Sequence, residues 1–317
     1  MIFLDTNQFD LLTKVVGVIV LLIVIIFILI WSGTLKCNSI SPFVCDAYDM
    51  IMGSPRVLIA HGDSGMGEPE KLKEYLQAPE YVGVGAVDIQ HVDRLSAGNL
   101  KQYKLVIVEQ AKSLSADQLI MFMDYVNKNG GRLVWIGDAG TQIAEGDFNG
   151  SLVDVNTQKN LATNPWIRVK ETDKAYQIVS FDEFLGLRYL DNYCNQVKCT
   201  DALFTVGRLE TEATNKHPLI FGTSPQLTFK IKKEHDFSIV RQIANSGSSN
   251  VVLNLNHLGV GTGKTMTIAK NLPIITTSSL GLGERVAYYA YPPEWFLQDN
   301  NYFYYMKNMY YGMLGRE

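Results

Sequence analysis

From Val15 to Leu35 the chain carries no charged residue, and from Val15 to Trp31 only Gly17 interrupts the aliphatic and aromatic side chains. At about 1.5 Å per residue these 21 positions reach about 31 Å, enough to cross the hydrocarbon core of a bilayer. Lys14 and Lys36 bracket the run, and Trp31 stands where an interfacial aromatic would stand. Every face of such a helix is apolar, so the pattern is not that of an amphipathic helix on a soluble core. A cleaved signal peptide is the competing reading. It fits less well, because the run is longer than a usual signal core and no small-x-small cleavage site follows at once. No second uncharged apolar run approaches such a length. The expected organisation is a tail over 1–14, one transmembrane helix over 15–35, a linker over 36–54 and an α/β domain over 55–317.

Within 55–317 the pattern shortens and alternates. Arg56 to His61 is an apolar run of buried-strand type and opens into the glycine-rich loop Gly62–Gly67. A helix is predicted over Pro69–Leu76, and strands over Val82–Ile89 and Tyr103–Glu109. Ser115 and Gln118 form a capping box. Leu119, Phe122, Met123 and Val126 then follow at helical spacing until Gly130-Gly131 ends the helix. Arg132–Ile136 reads as the next strand. Short apolar strands alternating with helices predict a mainly parallel sheet with helices on both faces. A polar surface excursion is expected near 141–175, and a helix over Phe181–Leu190. Residues 201–290 are strand-rich, at 203–206, 227–231, 251–255, 266–268 and 285–289. A last helix over Asn301–Leu314 carries Phe303, Met306, Met309, Tyr310 and Met313 on its inner side.

Composition alters this picture in two places. A net charge of −4 and the absence of a basic stripe give no electrostatic footprint for nucleic acid. Flanking charges are too few for the positive-inside rule to set an orientation. The four cysteines fall in two local pairs, Cys37 with Cys45 and Cys194 with Cys199, spaced as short-loop disulfides of an oxidising compartment. Four free thiols in a cytosolic domain is the alternative, and neither pair has zinc-knuckle spacing. Asn149-Gly150-Ser151 is a glycosylation sequon, so Asn149 is a candidate acceptor.

Candidate chemistry collects at the carboxyl ends of the strands, where α/β sheets build sites. His61 and Asp63 follow the first strand, Glu109 the third and Asp138 the fourth. A histidine with carboxylates could serve acid–base chemistry or hold a metal. The plainer reading is that these residues cap helices and satisfy loop amides, since no nucleophile–base pair is visible. Gly261-Thr262-Gly263-Lys264-Thr265 invites a phosphate-loop reading, but the required first glycine is Leu258, and no helix can follow with Pro273 in the segment. Ser64 lacks the Gly-x-Ser-x-Gly frame of a nucleophile elbow. No cofactor and no metal are expected.

The stretch LKQYKLVIVEQAKSLSADQLIMFMDYVNKNGGRLVWIGDAG resembles the class I glutamine amidotransferase-like superfamily, and most of all its non-catalytic ThuA-like branches. Asn215-Lys216-His217-Pro218-Leu219 is similar to the His-Pro turn of such domains. Gly281 to Ala290, followed by Pro292-Pro293-Glu294-Trp295, is similar to their last strand before the final helix. The resemblance covers roughly 55–317 and implies a flavodoxin-like three-layer sandwich. Catalytic members set a cysteine on an elbow after a central strand. Here Leu133–Ile136 opens into Gly137-Asp138-Ala139-Gly140, with no cysteine and hence no thiolate for glutamine hydrolysis. The expected function is a non-catalytic, single-pass accessory subunit of a membrane complex. Its extracytoplasmic domain would dock an integral membrane partner. The alternative is a membrane-tethered hydrolase or sugar-binding domain using His61, Asp63, Glu109 and Asp138.

Overall fold

The computed structural model describes residues 6–31, 53, 55–147, 164–172, 175–210, 217–224, 226–243, 249–257, 271–278, 283–296 and 302–314. The chain divides into two units, Met1–Ser54 with Gly315–Glu317, and Pro55–Leu314. In the first, helix α1 runs from Thr6 to Trp31. It begins nine residues before the apolar run, because nothing between Thr6 and Val15 breaks a helix. Residues 32–35 of the expected span lie outside the described residues. Among the described residues no helix is long and apolar enough to cross a membrane.

The second unit opens with β1 (Arg56–His61), α2 (Pro69–Gln77), β2 (Ala86–His91), α3 (Ala97–Leu100), β3 (Leu105–Val108), β4 (Ser113–Leu114), α4 (Ala116–Asn129) and β5 (Arg132–Ile136). The middle holds β6 (Gln142–Ile143), β7 (Ile167–Glu171), β8 (Tyr176–Ser180), α5 (Phe181–Leu185), β9 (Leu187–Asn192), α6 (Tyr193–Gln196) and β10 (Phe204–Glu210). The remainder is β11 (Gln226–Ile231), β12 (Ser238–Gln242), β13 (Ser249–His257), β14 (Leu272–Ser278), β15 (Val286–Tyr289) and α7 (Phe303–Met313).

Nine strands form the main sheet in the order β11-β10-β13-β14-β15-β5-β3-β1-β2. Strands β2, β1, β3, β5 and β15 are parallel. This is the expected sheet, and counted among themselves these strands stand in the flavodoxin-like order 2-1-3-4-5. An antiparallel wing, β14, β13, β10 and β11, extends it. Side chains alternate across β5 and β15 and divide the core in two. On one face Trp135 packs edge-on against Phe122 of α4 and beside Phe181. On the other, Tyr289 meets Tyr310 of α7.

The capping box forms as the sequence predicts. Gln118 N–H donates to Ser115 Oγ at 3.1 Å, and Ser115 N–H donates to Gln118 Oε1 at 2.8 Å. Gly130 closes α4 in the left-handed region at φ 68°.

Two expected elements differ. The strand expected over Val82–Ile89 begins only at Ala86. Val84 and Gly83 N–H groups donate to the carbonyls of Leu76 and Ala78, so this stretch caps α2 instead of joining the sheet. The helix expected over Phe181–Leu190 ends at Leu185. Gly186 adopts φ 69° and donates back to Asp182 and Glu183, and Leu187–Asn192 then pairs with β12. Part of the expected polar excursion is an ordered hairpin of β7 and β8. The expected strand at 266–268 and the glycine-rich 261–265 lie outside the described residues, as do Asn149, Cys37 and Cys45. Cys194 and Cys199 do form a disulfide.

A Cβ on Gly131 would lie 2.0 Å from the ring of buried Tyr125, whose hydroxyl donates to Tyr103 O at 3.0 Å. The ring is held at both ends, so Gly131→Ala should cost about 3 kcal/mol through overpacking. Ser115→Ala should cost about 1 kcal/mol through loss of the cap. Urea unfolding of both variants measures the contrast; equal costs would mean that Tyr125 gives way.

Candidate functional site

The strand order reverses between β1 and β3, and in open α/β sheets the crevice outside the carboxyl ends at such a point is where ligands bind. Here the segment after β1 lies across it. Gly62 N–H donates to Gln110 O at 3.1 Å, Gln110 N–H to Met66 O at 2.5 Å, and Lys112 N–H to Ser64 O at 2.8 Å. The loop therefore zips onto the segment after β3 like a short extra strand pair. Glycine is required at two of its positions. Gly65 and Gly67 have φ of 116° and 135°, a region that only glycine enters freely. A Cβ on Gly65 would press Asp138 Oδ1 at 3.1 Å, and one on Gly67 would press the Glu109 side chain at 3.0 Å. The loop thus lies directly against both carboxylates.

Asp138, buried in the turn after β5, is held by three segments. Met66 N–H donates to Oδ1 at 2.9 Å, Asn192 Nδ2 donates to Oδ2 at 3.2 Å, and Lys112 Nζ lies 3.4 Å from Oδ2. Asn192 Oδ1 in turn accepts from Tyr189 and Ser238 hydroxyls at 2.8 and 2.9 Å. Every oxygen of this carboxylate is engaged in joining the loop, the sheet end and β9.

Glu109 is in the opposite condition. It is fully buried, and neither of its carboxyl oxygens receives a hydrogen bond from an N–H group among the described residues. Glu294, from the turn after β15, is equally buried. Its Oε1 accepts from Glu68 N–H at 3.0 Å, and its Oε2 has no such donor. Burial, and then the neighbouring Glu294, push the Glu109 carboxyl well above the usual range; burial pushes Glu294 up to about 7. Two desolvated carboxyls that face each other, Glu109 with no N–H donor among the described residues, hold a proton between them, one as acid and one as acceptor. The charged groups nearby do not relieve them. Glu68 adds like charge and has its own partners, Lys71 at 3.4 Å and His235 at 3.7 Å. Tyr310, whose buried hydroxyl also has no partner among the described residues, brings no positive charge.

The remaining candidates, His61 and Asp63, stand apart from this pair. His61 and His91 are register partners on β1 and β2, and their rings meet edge to face at 5.3 Å. His91 Nε2 lies 3.3 Å from Asp63 Oδ1, and His91 Nδ1 lies 3.4 Å from Asp93 Oδ2. The four sequence candidates therefore fall into separate settings: a surface histidine cluster, a sealed acid pair and a structural clamp. His91, Glu294 and Glu68 were not singled out by the sequence. For His91 a signal existed, since His61-Gly62-Asp63 and His91-Val92-Asp93 repeat one His-x-Asp spacing. Glu294 lay inside the Pro-Pro-Glu-Trp motif, read only as a mark of the fold.

The acid pair sets a pH dependence. The Glu294 carboxyl titrates higher when folded than its ordinary 4.5, so the folded chain holds the extra proton. Its contribution to stability is complete below about pH 4.5 and disappears as pH rises through about 7. Stability should fall by about 3 kcal/mol from pH 5 to pH 8. Glu109→Gln, an amide able to donate to Glu294, should flatten that slope and leave the variant the more stable protein at pH 8. Denaturant unfolding at both pH values measures it; an unchanged slope would dismiss the shared proton.

No family model matches the sequence, and neither does any curated protein. Among solved structures, a ThuA-like protein from Bacteroides uniformis is similar over 81% of this chain and 91% of its own, with TM-score 0.53 and 15% identity. A GMP synthase component from Thermoplasma acidophilum is similar over 82% and 94%, with TM-score 0.45 and 9% identity. A β-galactosidase from Rahnella is similar over 82% of this chain but only 32% of its own, with TM-score 0.43 and 14% identity. The first likeness carries the conclusion, and at that identity it concerns the fold alone: the domain shares the α/β fold of that ThuA-like protein.

Proposed function

We propose that this chain is a non-catalytic accessory subunit of a membrane complex, anchored by α1, whose amidotransferase-like domain is a docking module outside the cytoplasm. The observation that carries the non-catalytic reading is the closure of the crevice. The loop 62–67 is bonded to residues 110–112 across the place where a substrate would enter. Asp138 stands in the turn where catalytic relatives, by resemblance, carry their cysteine. Its oxygens are already engaged by Met66, Asn192 and Lys112. A hydrolase or sugar-binding site built from His61, Asp63, Glu109 and Asp138 is disfavoured, because two of the four lie behind the loop and two at the surface.

The anchor reading rests on α1. From Val15 to Ile25 its large aliphatic side chains are each 43–59% exposed, through three turns and so on every face. Such a surface is strongly unfavourable in water, whereas lipid accepts it. The sequence continues this character to Trp31 and the uncharged run to Leu35. An integral membrane partner could pack on this helix, though it lacks a small-xxx-small stripe. The Cys194–Cys199 disulfide supports an oxidising, extracytoplasmic side.

Purification from native membranes in mild detergent should recover the chain with a stoichiometric integral membrane protein. A chain that migrates alone would sink the subunit reading. Alkylation before and after reductant tests the topology. Cys194 and Cys199 should react only after reduction, and labelling without reductant would place the domain in the cytosol.

A further inference from the structure

The carboxyl ends of β1 and β2 carry the same tripeptide pattern, His61-Gly62-Asp63 and His91-Val92-Asp93. The strands are parallel, and His61 and His91 are register partners, so both imidazoles leave the same face of the sheet side by side. We propose that His61, His91 and Asp63 bind one divalent ion of zinc type through the two Nε2 atoms and the Asp63 carboxylate.

Three features of the geometry point that way. First, the His61 Nδ1–H donates to the Gly62 carbonyl at 3.0 Å. That bond fixes the tautomer and leaves Nε2 as the ring's available lone pair, the usual arrangement behind a ligating histidine. Second, His91 has a carboxylate for the same task, because Asp93 Oδ2 lies 3.4 Å from its Nδ1. Third, the ring centres are 5.3 Å apart. Two imidazoles bound through Nε2 to one tetrahedral zinc ion, at about 2.0–2.1 Å each, have centres about 5 Å apart.

Among the described residues no three His, Cys, Asp or Glu side chains are already arranged around one ion. The proposed site calls for two changes, at His91 and at Asp63. In the metal-free state His91 Nδ1 accepts from Asp93 N–H at 3.3 Å while Nε2–H points at Asp63 Oδ1, 3.3 Å away. Binding moves the His91 proton from Nε2 to Nδ1, where Asp93 Oδ2 accepts it. The Asp63 side chain, 95% exposed, turns from a hydrogen-bond partner into a ligand. Neither step disturbs the strands. Three protein ligands leave a coordination position open to water or to a ligand from a docked partner. This site is independent of whether the chain is an accessory subunit, since it uses only the last residues of β1 and β2 and the residues that directly follow them.

The test uses the full-length, untagged protein in mild detergent after exhaustive chelation. Titration with Co2+, followed by its visible ligand-field absorption, should show one ion bound per chain and its displacement by Zn2+. His91→Ala and Asp63→Asn should each weaken binding at least tenfold. Asp63→Asn alters only a solvated side chain and keeps the experiment decisive if His91→Ala fails to fold. Absence of stoichiometric Co2+ binding overturns the proposal. So does a stoichiometric site with unchanged affinity in Asp63→Asn.

Discussion

The Asp138 carboxylate is the joint on which the carboxyl end of this sheet depends. It is buried, so each of its oxygens must find donors. The donors come from three different parts of the chain: Met66 after β1, Lys112 after β3 and Asn192 at the end of β9. Satisfying one desolvated charge therefore draws three segments to the same place. The loop after β1 takes its course from this demand. Its glycines at 65 and 67 follow from it too, since any side chain there would strike Asp138 or Glu109. The turn itself adds a second layer, because Ala139 O accepts from both Trp135 and Trp166 indole N–H groups.

The acid pair beside this joint is its electrostatic opposite. Both oxygens of Asp138 have partners, whereas of the four oxygens of Glu109 and Glu294 only Glu294 Oε1 accepts from an N–H among the described residues. The difference explains why one end of the loop is pinned by direct bonds to Asp138, while the other end rests on a proton. Glu68, at the foot of the loop, bonds to Glu294 through its backbone. The loop consequently spans a rigid attachment and a titratable one.

Local signals in the chain proved reliable where local chemistry decides the structure. Ser115 and Gln118 marked the start of α4, and Arg132–Ile136 was readable to the residue because an apolar run between Gly131 and Gly137 has no other fate. Elements decided by distant partners were not readable. Val82 and Val84 look like strand residues, yet the amides of Gly83 and Val84 turn to α2. Leu187–Asn192 continues a helical pattern, yet β12 captures it after Gly186. Strand β14 lies in a segment recognised only as unable to form a helix. The site followed the same rule. Residues at strand ends could be collected from the sequence, but their grouping could not. Glu109 finds its partner 185 positions later, at Glu294, and no spacing announces that.

The place of β15 has a consequence for how the domain is made. It lies between β5 and β14 and is the sole junction of the parallel and antiparallel halves of the main sheet among the described residues. Yet it is the last strand to be synthesised. Val286 follows Ile136 by 150 residues, or roughly 8–30 s of translation at about 5–20 residues per second. Throughout that interval the nascent β5 has a bare edge, a row of backbone groups that would accept a stranger's strand as readily as its own. On the ribosome a nascent chain is held close to its neighbours, so this edge is open to wrong pairing chiefly before β15 is made.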